Sequence, residues 1–292
     1  MKIALHDSEK NNYPNLVMMK LSAWHKKQGD TVEWFNPMVG GYDKVYSSKV
    51  FTWTREDPYL PKETIRGGTG YGLSTVLPEE IEHIMPDYSL YNCKESYGFL
   101  TRGCPNNCPW CFVPKKEGGI RGNADVTEFL QHKFVVFMDN NVLACDHGLK
   151  QIGKLAKMTV KVDFNQGLDA RLIDNGVAKL LANLKWFKPL RLACDKMSQM
   201  KSVEKATKLL RANNCTPKRY FIYTLINDID ESLERINFLK GLNLDPFGQP
   251  YRDKVNTPPT LEQKQLARWV NMKSVFRSCT FEEYKQSRGA RV

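Results

Sequence analysis

The 292-residue sequence contains no apolar run long enough to cross a bilayer and no basic–apolar segment at Met1. Membrane-spanning and secreted classes are therefore set aside, and a cytoplasmic location with no membrane partner is expected. Paired cysteines are also missing. Of eight cysteines, Cys93, Cys145, Cys194, Cys215 and Cys279 stand alone, so they read as free thiols in a reducing compartment and not as a disulfide framework. No phosphate-binding fingerprint is present either. The glycine-densest stretch, Thr64 to Gly72, is followed by Leu73 where a P-loop needs Lys and Ser or Thr, so it reads as a flexible interdomain loop or, more sharply, a glycine-hinged lid. Acidic residues are the scarcer charge: 43 Lys and Arg against 32 Asp and Glu give a formal net charge of +11. That balance favours a polyanionic partner such as nucleic acid, although a basic surface without such a partner gives the same sum. The length allows one large domain, or one medium and one small.

What the sequence does have is one dense cluster of thiols. Tyr97 to Gly118 sets Cys104, Cys108 and Cys111 in the spacing C-x3-C-x2-C, with Trp110 just before the third cysteine. Pro105, Asn106, Asn107 and Pro109 keep the ligands on a loop, and Tyr97 to Thr101 reads as a buried strand leading into it. Three thiolates this close suit a metal centre. A structural zinc site would need a fourth ligand, and neither a second cysteine pair nor a nearby histidine supplies one; His132 would have to fold back. A cubane iron–sulfur cluster with three protein ligands, by contrast, leaves one iron open to an exogenous ligand.

With Trp110 as its aromatic residue, the segment Cys104-Pro-Asn-Asn-Cys108-Pro-Trp110-Cys111 resembles the signature of the radical SAM superfamily. The resemblance implies that Cys104, Cys108 and Cys111 hold a [4Fe-4S] cluster. S-adenosyl-L-methionine (SAM) would chelate the open iron, an external reductant such as flavodoxin or ferredoxin would supply the electron, and Trp110 would pack near the adenine. Before this signature, Lys2 to His6, the helical spacing of Leu16, Met19 and Ala23, and Thr31 to Phe35 read as a βαβ unit, with further strands at Val45–Tyr46 and Phe51 to Trp53. Such a piece resembles the N-terminal domain of cobalamin-binding members or of the methylthiotransferases. The motif D-x-H-x-x-G is absent: Asp7-Ser8-Glu9 has no histidine after it, and His25 reads as a partly exposed helical residue. The upstream cluster cysteines are missing too, so no cobalamin is expected.

From Tyr97 onward strand and helix signals alternate with a period of about thirty residues, as in a parallel βα series. Strands are expected at Phe134 to Met138, Val160 to Phe164, Leu190 to Ala193, Tyr220 to Leu225 and Leu242 to Phe247. The expected fold is α/β: residues 1–92 a small Rossmann-like domain and linker, 93–250 a partial (β/α)6 barrel of radical SAM type, and 251–292 a helical extension. Reactive groups collect at the carboxyl ends of parallel strands. Asp139 and Asn140 would suit the SAM ammonium, or form an ordinary Asx turn. Gln166 would reach the ribose and Arg171 the SAM carboxylate, unless Arg171 merely pairs with Asp169. Cys194 reads either as a thiol that donates a hydrogen atom or as a small apolar core residue. The segment Thr224 to Glu231 stands where relatives contact adenine but lacks their glycines and proline. Thr260-x-x-Gln263 and Thr280-x-x-Glu283 cap two late helices, and Lys285, Arg288 and Arg291 make a basic tail. The function expected is reductive cleavage of SAM to a radical that abstracts hydrogen from a substrate, for which the positive charge favours a nucleic acid or nucleotide-like anion. Methyl or methylthio transfer, and a non-catalytic cluster-bearing nucleic-acid-binding module, are the alternatives.

Overall fold

A computed structural model describes residues 1–9, 13–216, 220–253 and 257–289. Arg291 of the basic tail lies outside the described residues, as does the side chain of Arg288. The chain is mixed α/β, built on parallel sheets. Among the described residues no helix is long and apolar enough to cross a membrane.

The first sheet has the order β2-β1-β3-β4 and is parallel throughout. Strand β1 (Lys2–Asp7) leads into helix α1 (Leu16–Lys27), which Asn15 caps by accepting the Met18 amide. Strands β2 (Thr31–Trp34) and β3 (Lys44–Ser48) then flank β1 on opposite sides. The fourth strand, β4 (Ile65–Gly67), comes from the glycine-dense stretch, which corrects the reading of that stretch as loop alone. Phe51 to Trp53 is a turn and not a strand, because its backbone is held by a side chain, described below, in place of a neighbouring strand. His25 is likewise corrected: it is buried, with Nδ1 2.7 Å from Asp30 and Nε2 3.1 Å from the Tyr46 hydroxyl. A short helix α2 (Glu79–Glu82) and a 3-10 turn at Tyr88–Tyr91 lead to the second unit.

That unit begins with β5 (Ser96–Gly98). The expected strand breaks there, and β6 (Thr101–Arg102) pairs antiparallel with β7 (Arg121–Gly122), enclosing the cysteine loop and helix α3 (Val113–Glu117). Five stretches then continue the parallel series. They are β8 (Phe134–Phe137), followed by α4 (Asp146–Ala156); β9 (Lys161–Phe164), followed by α5 (Asn175–Ala182); β10 (Lys185–Trp186) and β11 (Arg191–Ala193), followed by α6 (Met200–Ala212); β12 (Phe221–Ile226), followed by α7 (Ile229–Gly241); and β13 (Asp245–Pro250). One sheet has the order β10-β9-β8-β5 and the other β11-β12-β13, so sequential strands are spatial neighbours. Pro189, which has no N–H to donate, falls between β10 and β11. There the pairing passes from β9 to β12, and a parallel bridge between Leu168 and Leu192 joins the two sheets.

The continuous apolar runs are buried as expected of strands covered on both faces: Val135, Phe137, Val162, Phe164, Leu192 and Ile222 lie in one core beneath α4, α5 and α6. Phe137 and Phe164 stack with centroids 4.9 Å apart, and each such buried side chain is worth about 1.5–3 kcal/mol of transfer free energy. Helix α8 (Leu261–Asn271), with its Thr260–Gln263 capping box, α9 (Lys273–Ser278) and α10 (Phe281–Gly289) pack a second core around Trp269 against Ile226 and Ile236. The two units share a third cluster in which Leu16, Met19 and Tyr88 meet Tyr97, Phe99 and Met138.

Candidate metal centre on the cysteine loop

The loop is shaped before its cysteines are considered. Gly103 ends β6 with φ +79°, and a Cβ there would lie 2.2 Å from the Gly119 carbonyl oxygen, so only glycine fits. Its amide donates to Glu117 Oε2 at 2.9 Å, and the Cys104 amide donates to the Gly118 carbonyl at 3.3 Å. Glu117 also accepts from Asn140 Nδ2 at 2.9 Å and from Arg102 at 3.3 Å. Arg102 continues to Glu82 at 2.7 Å, and Glu82 to Lys20 at 3.3 Å, which ties the loop to the N-terminal unit. Lys116 makes a second tie, donating to the Thr69 hydroxyl of the glycine-rich stretch.

All three thiols are partly exposed. The Cys111 amide donates to the Cys108 carbonyl at 3.0 Å; Cys111 Sγ accepts the Val113 amide at 3.4 Å, and Cys104 Sγ accepts Asn141 Nδ2 at 3.7 Å. Burial raises the Cys108 thiol, the other two thiols push it further, and Lys196 and Arg171 draw it down. Burial also raises Cys111, against the hydrogen bond from Val113. The three sulfurs thus lie within one another's fields, beside two cations and N–H donors that favour thiolate. Among the described residues no three His, Cys, Asp or Glu side chains converge on one ion. Three cysteine thiols on one loop are the donor set that a cubane with one open iron would use.

Around the loop, Asn106 Nδ2 and Asn141 Nδ2 each donate to Asp169 Oδ2 at 3.1 Å. Asp169 also holds Arg171 through both oxygens, at 2.8 and 2.6 Å. Burial would raise the Asp169 carboxyl, but the bonds from Arg171 and Asn106 outweigh it and hold it below its ordinary value. Arg171 is therefore both Asp169's partner and a cation near Cys108 and Cys104. The Asn141 side-chain oxygen is buried without a partner, leaving an acceptor to spare beside the thiols. Asn140 lies at the loop through Glu117. Asp139 does not open on it: the carboxylate is buried and accepts Leu100 N, Thr101 N and Thr101 Oγ, at 3.2, 2.6 and 2.7 Å. Burial pushes it up to about 6 in spite of those bonds.

Trp110 is partly exposed, with the Lys196 ammonium 4.9 Å from its ring centre. Gln166 is exposed on the turn after β9. Cys194 has no exposed surface and packs in the main core, where burial pushes its thiol up to about 11. The core-residue reading of Cys194 is the one its surroundings match. Asp228 in the adenine-side segment caps α7 by accepting the Glu231 amide at 2.9 Å. His132 bonds Ser96 at 3.2 Å, and Cys93 contacts Met19 at 3.8 Å. Neither contributes to the loop.

Glu117 and Lys196 are among the residues at the site that the sequence did not single out. Glu117 is the one acid after Lys115 and Lys116 and was legible only as part of the loop. Lys196 follows the carboxyl end of β11 closely enough that the strand-end rule would have found it. No protein-family model matches the chain, and no curated protein matches it.

Proposed function

We propose that this protein is a radical SAM enzyme whose parallel series is a partial (β/α)6 barrel, with Cys104, Cys108 and Cys111 as the ligands of a [4Fe-4S] cluster. The observation that carries the reading is the placement of the three thiols on one loop, which the short β6 joins to β5, the first strand of the parallel βα series. Reduced by one electron while bound to SAM, such a cluster supplies a 5′-deoxyadenosyl radical that abstracts hydrogen from an unactivated carbon.

The chain's own residues have separate tasks in this reading. Glu117 and Asn141 hold the loop, the first through Gly103 and Asn140 and the second through Cys104 and Asp169. Arg171, less than half exposed and anchored by Asp169, offers its remaining N–H groups to a carboxylate. The Asn141 oxygen is available to an ammonium. Trp110 and Lys196 form one wall for an adenine ring. The net charge of +11 supports a nucleic acid or nucleotide-like anion as substrate. The N-terminal sheet acts as a relative of cobalamin domains that binds no cobalamin.

The test is anaerobic reconstitution followed by dithionite reduction with SAM. The reading expects 5′-deoxyadenosine, formed slowly without substrate, with added cobalamin changing nothing. Reconstituted protein that retains iron yet leaves SAM intact would overturn the catalytic reading in favour of a structural cluster.

A further inference from the structure

Phe51 and Trp53 lie on the turn after β3, which the site above leaves without a role. The rings stack with centroids 4.7 Å apart and planes at 16°, and yet they are 41% and 51% exposed. Their backbone is fixed. Glu9 accepts the Val50 and Phe51 amides at 3.0 and 3.1 Å and the Thr54 hydroxyl at 2.9 Å. From the other side, Gly70 approaches so closely that a Cβ there would lie 2.6 Å from the Phe51 carbonyl oxygen. The Arg252 guanidinium, two residues past the end of β13, stands 4.9 Å from the Trp53 ring and is exposed. Arg55, also exposed, makes no ion pair among the described residues.

This patch occupies a defined place. It lies beyond the carboxyl end of β3, and Arg252 beyond the carboxyl end of β13, the last strand of the parallel series. The neighbouring glycine-rich stretch reaches the cysteine loop, which follows the first strand, through Thr69 and Lys116. The N-terminal unit therefore touches both ends of the series on the edge where the thiols lie. A rigid, half-exposed aromatic stack flanked by unpaired guanidinium groups matches what an unpaired nucleobase and its phosphate require: a π-face or guanidinium plane for the base and positive charge for the backbone. The two exposed guanidinium groups and the chain's net charge of +11 complement a polyanion, and a duplex would need only that charge where an unpaired base also uses the exposed rings, so the pattern favours single-stranded nucleic acid.

We propose that Phe51, Trp53 and Arg252 form a stacking platform for an unpaired base of a single-stranded nucleic acid segment, with Arg55 contacting its backbone. The proposal rests on the substrate half of the functional reading but not on the cluster chemistry. It is tested by titrating the full reconstituted chain, without SAM, with labelled single-stranded DNA, tRNA and duplex DNA, with 5′-deoxyadenosine formation assayed separately. Trp53→Ala should weaken binding to the single-stranded probe or to tRNA by about ten- to a hundred-fold, the effect of losing one stacked base, while leaving the salt slope unchanged. Trp53→Phe should keep most of the affinity, and Arg55→Ala should lower the slope of log affinity against log salt by about 0.7. Preference for single-stranded DNA or for the unpaired segments of tRNA identifies the polymer as DNA or RNA. Wild-type affinity that is equal or greater for duplex overturns the platform, as does a Trp53→Ala variant that melts earlier but binds as tightly as wild type. Sedimentation with anionic lipid vesicles and no oligonucleotide binding also overturns it. Intact SAM cleavage alongside any of these leaves the enzyme reading standing, and oligonucleotide binding without SAM cleavage does the reverse.

Discussion

Replacing Glu117 with Ala removes the group that holds both sides of the cysteine loop. The carboxylate is 15% exposed and accepts from Gly103 N, Asn140 Nδ2 and Arg102. Arg102 keeps Glu82, but Gly103 and Asn140 lose their acceptor. A hydrogen bond to a charged group is worth about 1.5–3 kcal/mol, and allowing for partial exposure and non-additivity the two give about 2–4 kcal/mol of local stability. The loss falls on the loop and not on the main core, so hydrogen exchange is the appropriate assay. Peptides spanning residues 99–119 should exchange about 30- to 1,000-fold faster, while peptides from β12 stay unchanged. Glu117→Gln keeps one acceptor oxygen and should fall between. Unchanged exchange in the Ala variant would refute the claim that this carboxylate organises the loop.

Gly103→Ala forces a Cβ into the Gly119 carbonyl at a positive φ, and should shift the loop enough to reduce iron retention without lowering the helix content read by circular dichroism. Asp139 has a folded-state value of about 6 against an ordinary 3.8, so the native chain binds the extra proton. Its contribution to stability is therefore greatest below about pH 4 and declines as pH rises to about 6; urea midpoints from pH 4 to 7 should show that decline in wild type and not in Asp139→Asn. Cys194→Ala should cost about 1 kcal/mol in thermal denaturation and leave SAM cleavage intact, because the thiol only fills core volume; lost cleavage would restore it as a reacting group.

How far the sequence could be read depended on whether each signal was local. Phe134 to Phe137 and Phe221 to Ile226 were legible because a doubly covered strand writes itself as an apolar run. Thr260 with Gln263 was legible because a capping box needs only four residues. Phe51 to Trp53 misled for the same reason: an aromatic run suggests a strand, and only Glu9, far away in sequence, shows that its amides are already satisfied. His25 looked solvent-facing until Asp30 and Tyr46 were seen around it. At the site, the cysteine spacing is local, and the structure places all three thiols, partly exposed, on one loop. Asp139 and Asn140 were not separable, since both residue types suit an ammonium and only the fold shows that Thr101 and Leu100 have taken the Asp139 carboxylate. Arg171 proved to be paired with Asp169 and near the thiols at once, a combination that two alternatives weighed against each other did not contain.

Metal content of the anaerobically reconstituted chain and its cysteine variants decides whether Cys104, Cys108 and Cys111 hold a cluster. Wild type should hold about four irons and four sulfides per chain, with each of Cys104→Ala, Cys108→Ala and Cys111→Ala abolishing the cluster and Cys93→Ala, Cys145→Ala and Cys279→Ala retaining it. Stoichiometric zinc in place of iron after anaerobic purification, or a cluster lost with Cys93, would contradict it.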